Sequence, residues 1–306
     1  MRTLLVVGVG LLGARVAREA AERGWRVAAA DRDPAALDAV RPWAASGTAE
    51  VDVTDTEGVR RAAGRFAPHT VVHTASRIDV PTGPGDPADR LREYGRGVAA
   101  VAGAAVTHGA HRLVLVSSLA VYDLAGAREP VPESAPPGPR SLYGRGKLVE
   151  ELLAARLLHG TDTRLSVLRP VGLYGPGPGG GRLHRRLADL CARARSGAEV
   201  RVDGYFHGRE YLHVSDAARA VVSAAGPGRP DGVFNLATGR ITTGEDIAAA
   251  VRAAGFRATA GPAPGAAPLL DTSRAERFLE FRARVGVADG IAELLGRPRT
   301  AGSACR

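Results

Sequence analysis

Short apolar runs alternate with longer amphipathic stretches from the first residues of the chain. Thr3–Val7, Arg26–Ala30, Thr70–His73, Leu113–Ser117 and Leu165–Leu168 are rich in β-branched and aliphatic residues, and a further strand is expected around Val51. Between them, apolar positions recur at helical spacing over Leu11–Arg23, Ala35–Val40, Thr56–Phe66, Leu91–Thr107 and Leu142–His159. Asp33 followed by Pro34 reads as an N-cap and first helical position. Strands this uniformly apolar are covered on both faces. The repeated strand-then-helix order predicts an α/β fold with a doubly wound parallel sheet and right-handed crossovers.

Beyond Arg169 the alternation loosens. Gly175–Gly181 is a Gly/Pro loop, and Gly261–Pro268 resembles a linker. Helices are expected over Leu183–Ala194, Ser215–Ala225 and Gly244–Ala254, and strands over Glu199–Val202 and Val233–Leu236. The expected organisation is a first lobe over 1–170, a smaller substrate-binding lobe over 171–296 with some segments returning to the sheet, and a frayed tail over 297–306.

At 306 residues with 45% hydrophobic content, a substantial core is assured. The net charge of +9 invites a nucleic-acid reading. The arginines are instead spread through every expected helix, with no basic tail or zinc spacing, so an anionic small-molecule substrate, or simply the Arg-rich background, accounts for the charge as well. Two cysteines, Cys191 and Cys305, indicate a reducing compartment. The apolar run Leu4–Gly13 is too short to span a bilayer. A cytoplasmic protein without a membrane partner is expected. Cys191 reads as a small buried hydrophobe, His213 as packing beside the sheet, and His184-Arg185-Arg186 as a solvated helix face in preference to the lining of an anionic substrate's path.

Chemistry enters at three places. Gly8-Val9-Gly10-Leu11-Leu12-Gly13 links a strand to a helix, the setting in which glycines admit a pyrophosphate at a helix N-terminus. Asp31, at the end of the second strand, is placed to accept from ribose hydroxyls, which favours NAD, while the neighbouring Arg32 keeps NADP open. Asp52-Val53 suits an adenine contact, and Thr74-Ala75-Ser76 borders the middle of such a cofactor. Finally, Lys147 is the only lysine against 40 arginines, and it follows Tyr143 by four residues. On a helix the two share a face, and a nearby ammonium favours phenolate over phenol, as a general base requires.

Ser117-Ser118-Leu119-Ala120-Val121-Tyr122 completes a Ser–Tyr–Lys set. With the Gly-rich turn, Arg169-Pro170, Tyr174-Gly175-Pro176-Gly177, Arg209 through Asp216 and Phe234-Asn235-Leu236, the chain resembles the extended short-chain dehydrogenases/reductases of the NAD-dependent epimerase/dehydratase kind. The resemblance implies a Rossmann-type domain. It implies Tyr143 as base, Lys147 on the nicotinamide ribose, Ser118 on the reacting oxygen, Pro170 beside the cofactor and Arg209 on a substrate phosphate. It also implies a homodimer through the helices around Leu91–Thr107 and Leu142–His159. Departures are Val7 at the first glycine of a GxxGxxG turn, Tyr94 where Asn is frequent, and Leu119-Ala120 where dehydratases carry an acidic pair. Without those proton carriers an elimination is disfavoured. The expected activity is epimerisation of a nucleotide-linked sugar through a transient ketone, with NAD. The alternatives are a net dehydrogenase or ketoreductase on another alcohol, and a non-catalytic dinucleotide sensor. Substrate contacts are expected near Ile78–Asp86 and Pro176–His184.

Overall fold

The computed structural model describes residues 2–76, 86–127, 130–262 and 265–298. Its first half runs β1 (Thr3–Val7), α1 (Leu11–Glu22), β2 (Arg26–Asp31), α2 (Pro34–Val40), β3 (Gly47–Glu50), α3 (Thr56–Phe66), β4 (Thr70–His73), α4 (Pro87–Thr107), β5 (Arg112–Val116), α5 (Leu142–Leu158) and β6 (Arg164–Pro170). The second half adds β7 (Gly172–Tyr174), α6 (Arg182–Arg195), β8 (Val200–Val202), β9 (Tyr211–His213), α7 (Val214–Ala225), β10 (Gly232–Leu236), α8 (Gly244–Ala253), β11 (Ala258–Ala260), α9 (Ser273–Leu279) and α10 (Val287–Leu294).

Seven strands pair in the order β10-β6-β5-β4-β1-β2-β3, every pairing parallel. The expected doubly wound Rossmann-type sheet is therefore present. Its order reverses between β1 and β4, and ligands of such sheets bind outside the strand C-termini at that switch point. Two further pairs, β11-β8 and β7-β9, lie outside the main sheet.

Local chemistry explains the boundaries. The Asp33 side chain accepts from the Ala35 N–H at 3.0 Å and starts α2. Asp55 caps α3 by accepting from Gly58 N–H at 3.0 Å. Asp86 does the same for α4, with Pro87 in the first turn, so this helix starts earlier than the expected Leu91. The third strand ends at Glu50, one residue short of Val51.

The faces of the sheet are covered separately. Leu4, Val6, Val16, Ala17, Val27, Ala220 and Val221 share one buried cluster, whereas Leu5, Val7, Phe66, Val71, Val101 and Leu113 belong to another. A third cluster includes Tyr174, Leu187, Cys191, Val202, Tyr211, Ile247 and Ile291 and gives the later segments their own core. Residues of α7 and β10 belong to the first of these clusters, so the chain after residue 171 contributes to the sheet as well. Among the described residues no helix is long and apolar enough to cross a membrane.

Candidate active site

The Gly8-Val9-Gly10 connection joins β1 to α1. Gly8 has φ +95°, and a Cβ there would stand 2.2 Å from the Ala75 nitrogen. A Cβ on Gly13 would meet the Gly8 carbonyl oxygen at 1.9 Å. Only glycine fits either position. At Gly10 a Cβ would point into open space. Thr74 closes the turn from the side: its hydroxyl donates to the carbonyl oxygens of Val7 and Gly8, and the Ala75 N–H donates to Val7 at 2.9 Å. Gly10 offers α1 no side-chain cap, so the first-turn N–H groups of Leu11, Leu12 and Gly13 can meet an anion without competition from a capping side chain.

Asp31 sits at the rim of this turn. One carboxylate oxygen accepts from Val9 N–H at 2.5 Å and the other from Asp33 N–H at 2.9 Å. Each oxygen keeps a further lone pair for a hydroxyl donor. Arg32 lies 3.7 Å from Asp52. Asp52 also accepts from the Thr54 N–H and hydroxyl at 2.9 and 2.7 Å, so part of its role is in the turn. Val53 packs at α4, 3.2 Å from where a Gly97 Cβ would be. Gly179, in the Gly/Pro loop, approaches the turn, its missing Cβ being 3.8 Å from Gly10 Cα. Two positions closed to Cβ, one open, an uncapped helix N-terminus and a rim carboxylate together fit a dinucleotide.

The second half of the site is built on α5. Ser141 caps it by accepting from Gly144 N–H at 3.0 Å. Lys147 is 2% exposed, and its Nζ donates to the Val116 carbonyl at 2.9 Å and to Glu150 Oε2 at 2.8 Å. Burial disfavours this ammonium, but Glu150, then Tyr143, more than offset it and hold Lys147 above its ordinary pKa. An ammonium has three N–H bonds, so among the described residues one is left beyond these two. Tyr143, one turn earlier, is half-buried.

Of the paired serines, Ser117 is 2% exposed and donates to Glu151, so its hydroxyl is consumed by the scaffold. Among the described residues Ser118 Oγ only accepts, from Ala120 N–H at 3.2 Å, which leaves its own hydrogen available there. The start of α5 rests on this same turn, since a Cβ on Gly144 would meet the Ala120 carbonyl oxygen at 2.1 Å. Ser118, Tyr143 and Lys147 are thus gathered at the carboxyl edge of β5.

Three more residues lie close by. Tyr94 packs its ring on Gly146, stands beside Ser76, and burial pushes its phenol up to about 12. His73 is 1% exposed, and burial pushes its imidazole down to about 3, so it is neutral. Neither ring nitrogen has a hydrogen-bond partner among the described residues, and Nε2 lies 4.0 Å from Glu150 Oε1. Below Ser117, Arg169 grips Glu151 through Nε at 3.0 Å and Nη2 at 2.6 Å, then donates to the Tyr122 hydroxyl at 2.8 Å, which donates to Asn235 at 2.8 Å. This buried chain ties α5 to β6 and β10. Pro170 ends β6, buried. A groove of about 790 Å³ is lined by Leu152, Ala155, His159, Val167 and Val233, and by none of the Ser–Tyr–Lys residues.

The model of the NAD dependent epimerase/dehydratase family matches residues 4–237. The chain belongs to this family. It is 25% identical over 298 residues to the dTDP-L-rhamnose 4-epimerase of Burkholderia thailandensis, covering 82% of this chain and 80% of that protein. It is 30% identical over 241 residues to a UDP-glucose 4-epimerase of Azospirillum brasilense, covering 73% and 68%. The structure of a Thermus thermophilus UDP-glucose 4-epimerase in complex with NAD is similar at a TM-score of 0.82 and 26% identity, over 96% of this chain and 98% of that one. The cofactor of this epimerase/dehydratase is NAD.

Other expectations fare unevenly in this family member. Arg209 is exposed, with its guanidinium 4.6 Å from the Tyr205 ring centre, and Arg186 is at 4.2 Å from the same ring. Its motif neighbours are structural: Glu210 accepts from Gly239 N–H at 2.7 Å and Leu270 N–H at 3.1 Å, and Asp216 from Arg284 and Val285. His184 is not on a solvated face. It is 5% exposed and packs against Gly180, whereas Arg185 remains exposed. Cys191 is buried at 1%, and its thiol is pushed up to about 12. His213 is buried and caps α7, with its ring edge-on to Tyr174. Residues 77–85, most of an expected substrate segment, and Cys305 lie outside the described residues. No metal-binding group of His, Cys, Asp and Glu occurs among the described residues. Sequence reasoning missed Glu150 and His73. The one available signal was the spacing of Lys147 and Glu150, three apart on a helix.

Proposed function

We propose that this protein is an NAD-dependent epimerase that inverts a carbinol carbon of a nucleotide-linked sugar through a transient ketone. The observation that carries the reading is an intact Ser118–Tyr143–Lys147 set beside a turn, Leu119–Val121, that bears no carboxylate. A dehydratase would need an acid and a base there to expel water. The two relatives named above are 4-epimerases, which supports C4 as the carbon inverted.

In this reading Tyr143 takes the proton of the substrate hydroxyl and later returns it to the same oxygen. Ser118 donates its free hydroxyl hydrogen to that oxygen and fixes its position. Lys147 uses its remaining N–H on the nicotinamide ribose and its charge on Tyr143. Arg209 meets the substrate diphosphate. Bound NAD would supply a reversible hydride acceptor for the carbinol carbon, open to return on either face. The redox cycle closes on itself, so no net NADH forms. We further propose a homodimer through α4 and α5, which expose Val106 and Leu157 at 38% and 40%, and a cytoplasmic setting.

Incubation with UDP- and dTDP-hexoses, followed by NMR, should give an equilibrium mixture of two epimers without NADH accumulation. Tyr143→Phe should abolish this while NAD still binds. Steady production or consumption of NADH with substrate would overturn the epimerase reading in favour of a net oxidoreductase.

A further inference from the structure

Lys147 has a buried counter-ion. Glu150 is 2% exposed, and one of its carboxylate oxygens is 2.8 Å from Lys147 Nζ. Its other oxygen faces His73 across 4.0 Å. The groups around it are few. From α5 come Lys147 and the like-charged Glu151. From β4 comes His73, which burial keeps neutral. From α4 comes the Tyr94 phenol, which burial also keeps neutral. Lys147 is therefore the only cation acting on Glu150 among the described residues.

A helix salt bridge at this spacing is ordinarily a weak surface feature. Here both partners are out of water, where a charge is costly unless paired. The pairing has a consequence for the neighbour one turn away. A phenolate beside a lone ammonium is strongly favoured. Beside an ammonium already matched by a carboxylate it is favoured less, because the two charges largely cancel at Tyr143.

We propose that Glu150 is a positioning residue for the reaction: it holds Lys147 Nζ against the Val116 carbonyl and, by matching its charge, sets how readily Tyr143 becomes the base. This rests on Tyr143 as the base in the reading above. It adds a fourth member to the Ser–Tyr–Lys set, one that touches neither substrate nor cofactor and acts only through Lys147.

The test reads Tyr143 directly. The full-length, NAD-bound protein without sugar substrate is titrated by ultraviolet difference absorbance against its Tyr143→Phe counterpart, so that the Tyr143 phenolate alone is seen. Glu150→Gln keeps the size and hydrogen bond but removes the charge. Its phenolate should appear about one pH unit lower than in the parent. Glu150→Asp, whose carboxylate is withdrawn by one methylene, should fall between the two, and it reads the same shift alone if the Gln variant does not fold. The acid limb of kcat/KM should move with the absorbance. Phenolate formation at the parent pH in both variants would overturn the proposal, even if their rates were low, because a purely structural role lowers rate or stability without moving the titration. The absorbance arm needs no substrate, so it stands or fails separately from the sugar-nucleotide reading.

Discussion

Gly146 and Tyr94 form a size-matched pair at the junction of α4 and α5, and disturbing it gives a sharp prediction. A Cβ on Gly146 would lie 2.4, 2.5 and 2.8 Å from Tyr94 Cδ2, Cε2 and Cγ. Ordinary carbon contacts start about 1 Å farther out. Tyr94 is 7% exposed, so its ring has no solvent to swing into, and the two helices must part instead. Overpacking of this kind costs about 1–3 kcal/mol. Replacing glycine by alanine inside a helix returns about 1 kcal/mol. Gly146→Ala should therefore destabilise the parent by up to about 2 kcal/mol. In a Tyr94→Ala background, itself weakened by about 3–5 kcal/mol, the clash is gone and the same substitution should stabilise by up to about 1 kcal/mol. The cycle should show a coupling of about 1–3 kcal/mol, the size of the clash itself. Urea unfolding measures it as midpoint shifts at constant slope. Gly146 immediately precedes Lys147, so the single variant should lose kcat as well. Equal changes in both backgrounds would refute the packing argument.

Gly13→Ala places a methyl 1.9 Å from the Gly8 carbonyl oxygen and should weaken NAD binding by at least about 100-fold, read by calorimetry. Arg169→Met leaves Glu151 charged and unpaired in the interior and should cost about 3–5 kcal/mol of stability, read by denaturant unfolding. His73 is held neutral with its pKa depressed from 6.5 to about 3, so the unfolded chain binds the extra proton and stability falls as pH drops through that window, by up to about 1.4 kcal/mol per unit. His73→Leu should flatten this acid limb in pH-dependent unfolding, leaving Glu150, raised by burial, to act in the opposite sense. Light scattering should give about twice the chain mass of 31.7 kDa, and Leu157→Arg should reduce it towards one.

The readable parts of this molecule are those whose causes are local. Thr56–Phe66 and Thr70–His73 match their expected spans residue for residue, because the signals are local to each: an Asp55 cap and a helical repeat for the first, a short β-branched apolar run for the second. The Gly-rich turn is readable for the same reason. β7 and β9 are not among the expected elements. Each has only three residues, too few to show a period, and each exists because of the other, with Gly172 opposite Tyr211. His184 misleads for a related reason: its flanking arginines mark a polar face, but the loop at Gly180 folds over the histidine. Glu150 is hidden more deeply. Nothing in a Lys-x-x-Glu spacing tells whether water or a sheet lies beneath it.

Two buried charge systems on α5 explain why so polar a helix face is turned inward. Lys147 and Glu151, one turn apart, are 2% and 6% exposed, yet an apolar stripe would bury with less penalty. Net stability is therefore a poor reason for their presence. An apolar face, however, tolerates sliding and rotation of the helix over the sheet, because dispersion contacts are nearly undirected. Hydrogen-bonded charges do not. Lys147 is fixed to the last carbonyl of β5 at Val116, and Glu151 to Ser117 just beyond it and to Arg169 of β6. Two anchors on adjacent strands determine both the height and the rotation of the helix. Tyr143 lies one turn before the first of them, so its distance from Ser118 is set by the same bonds, and a displacement near 1 Å is enough to cost about 100-fold in rate. The charges under α5 hold the chemistry in register, and their desolvation is the stability given up for it.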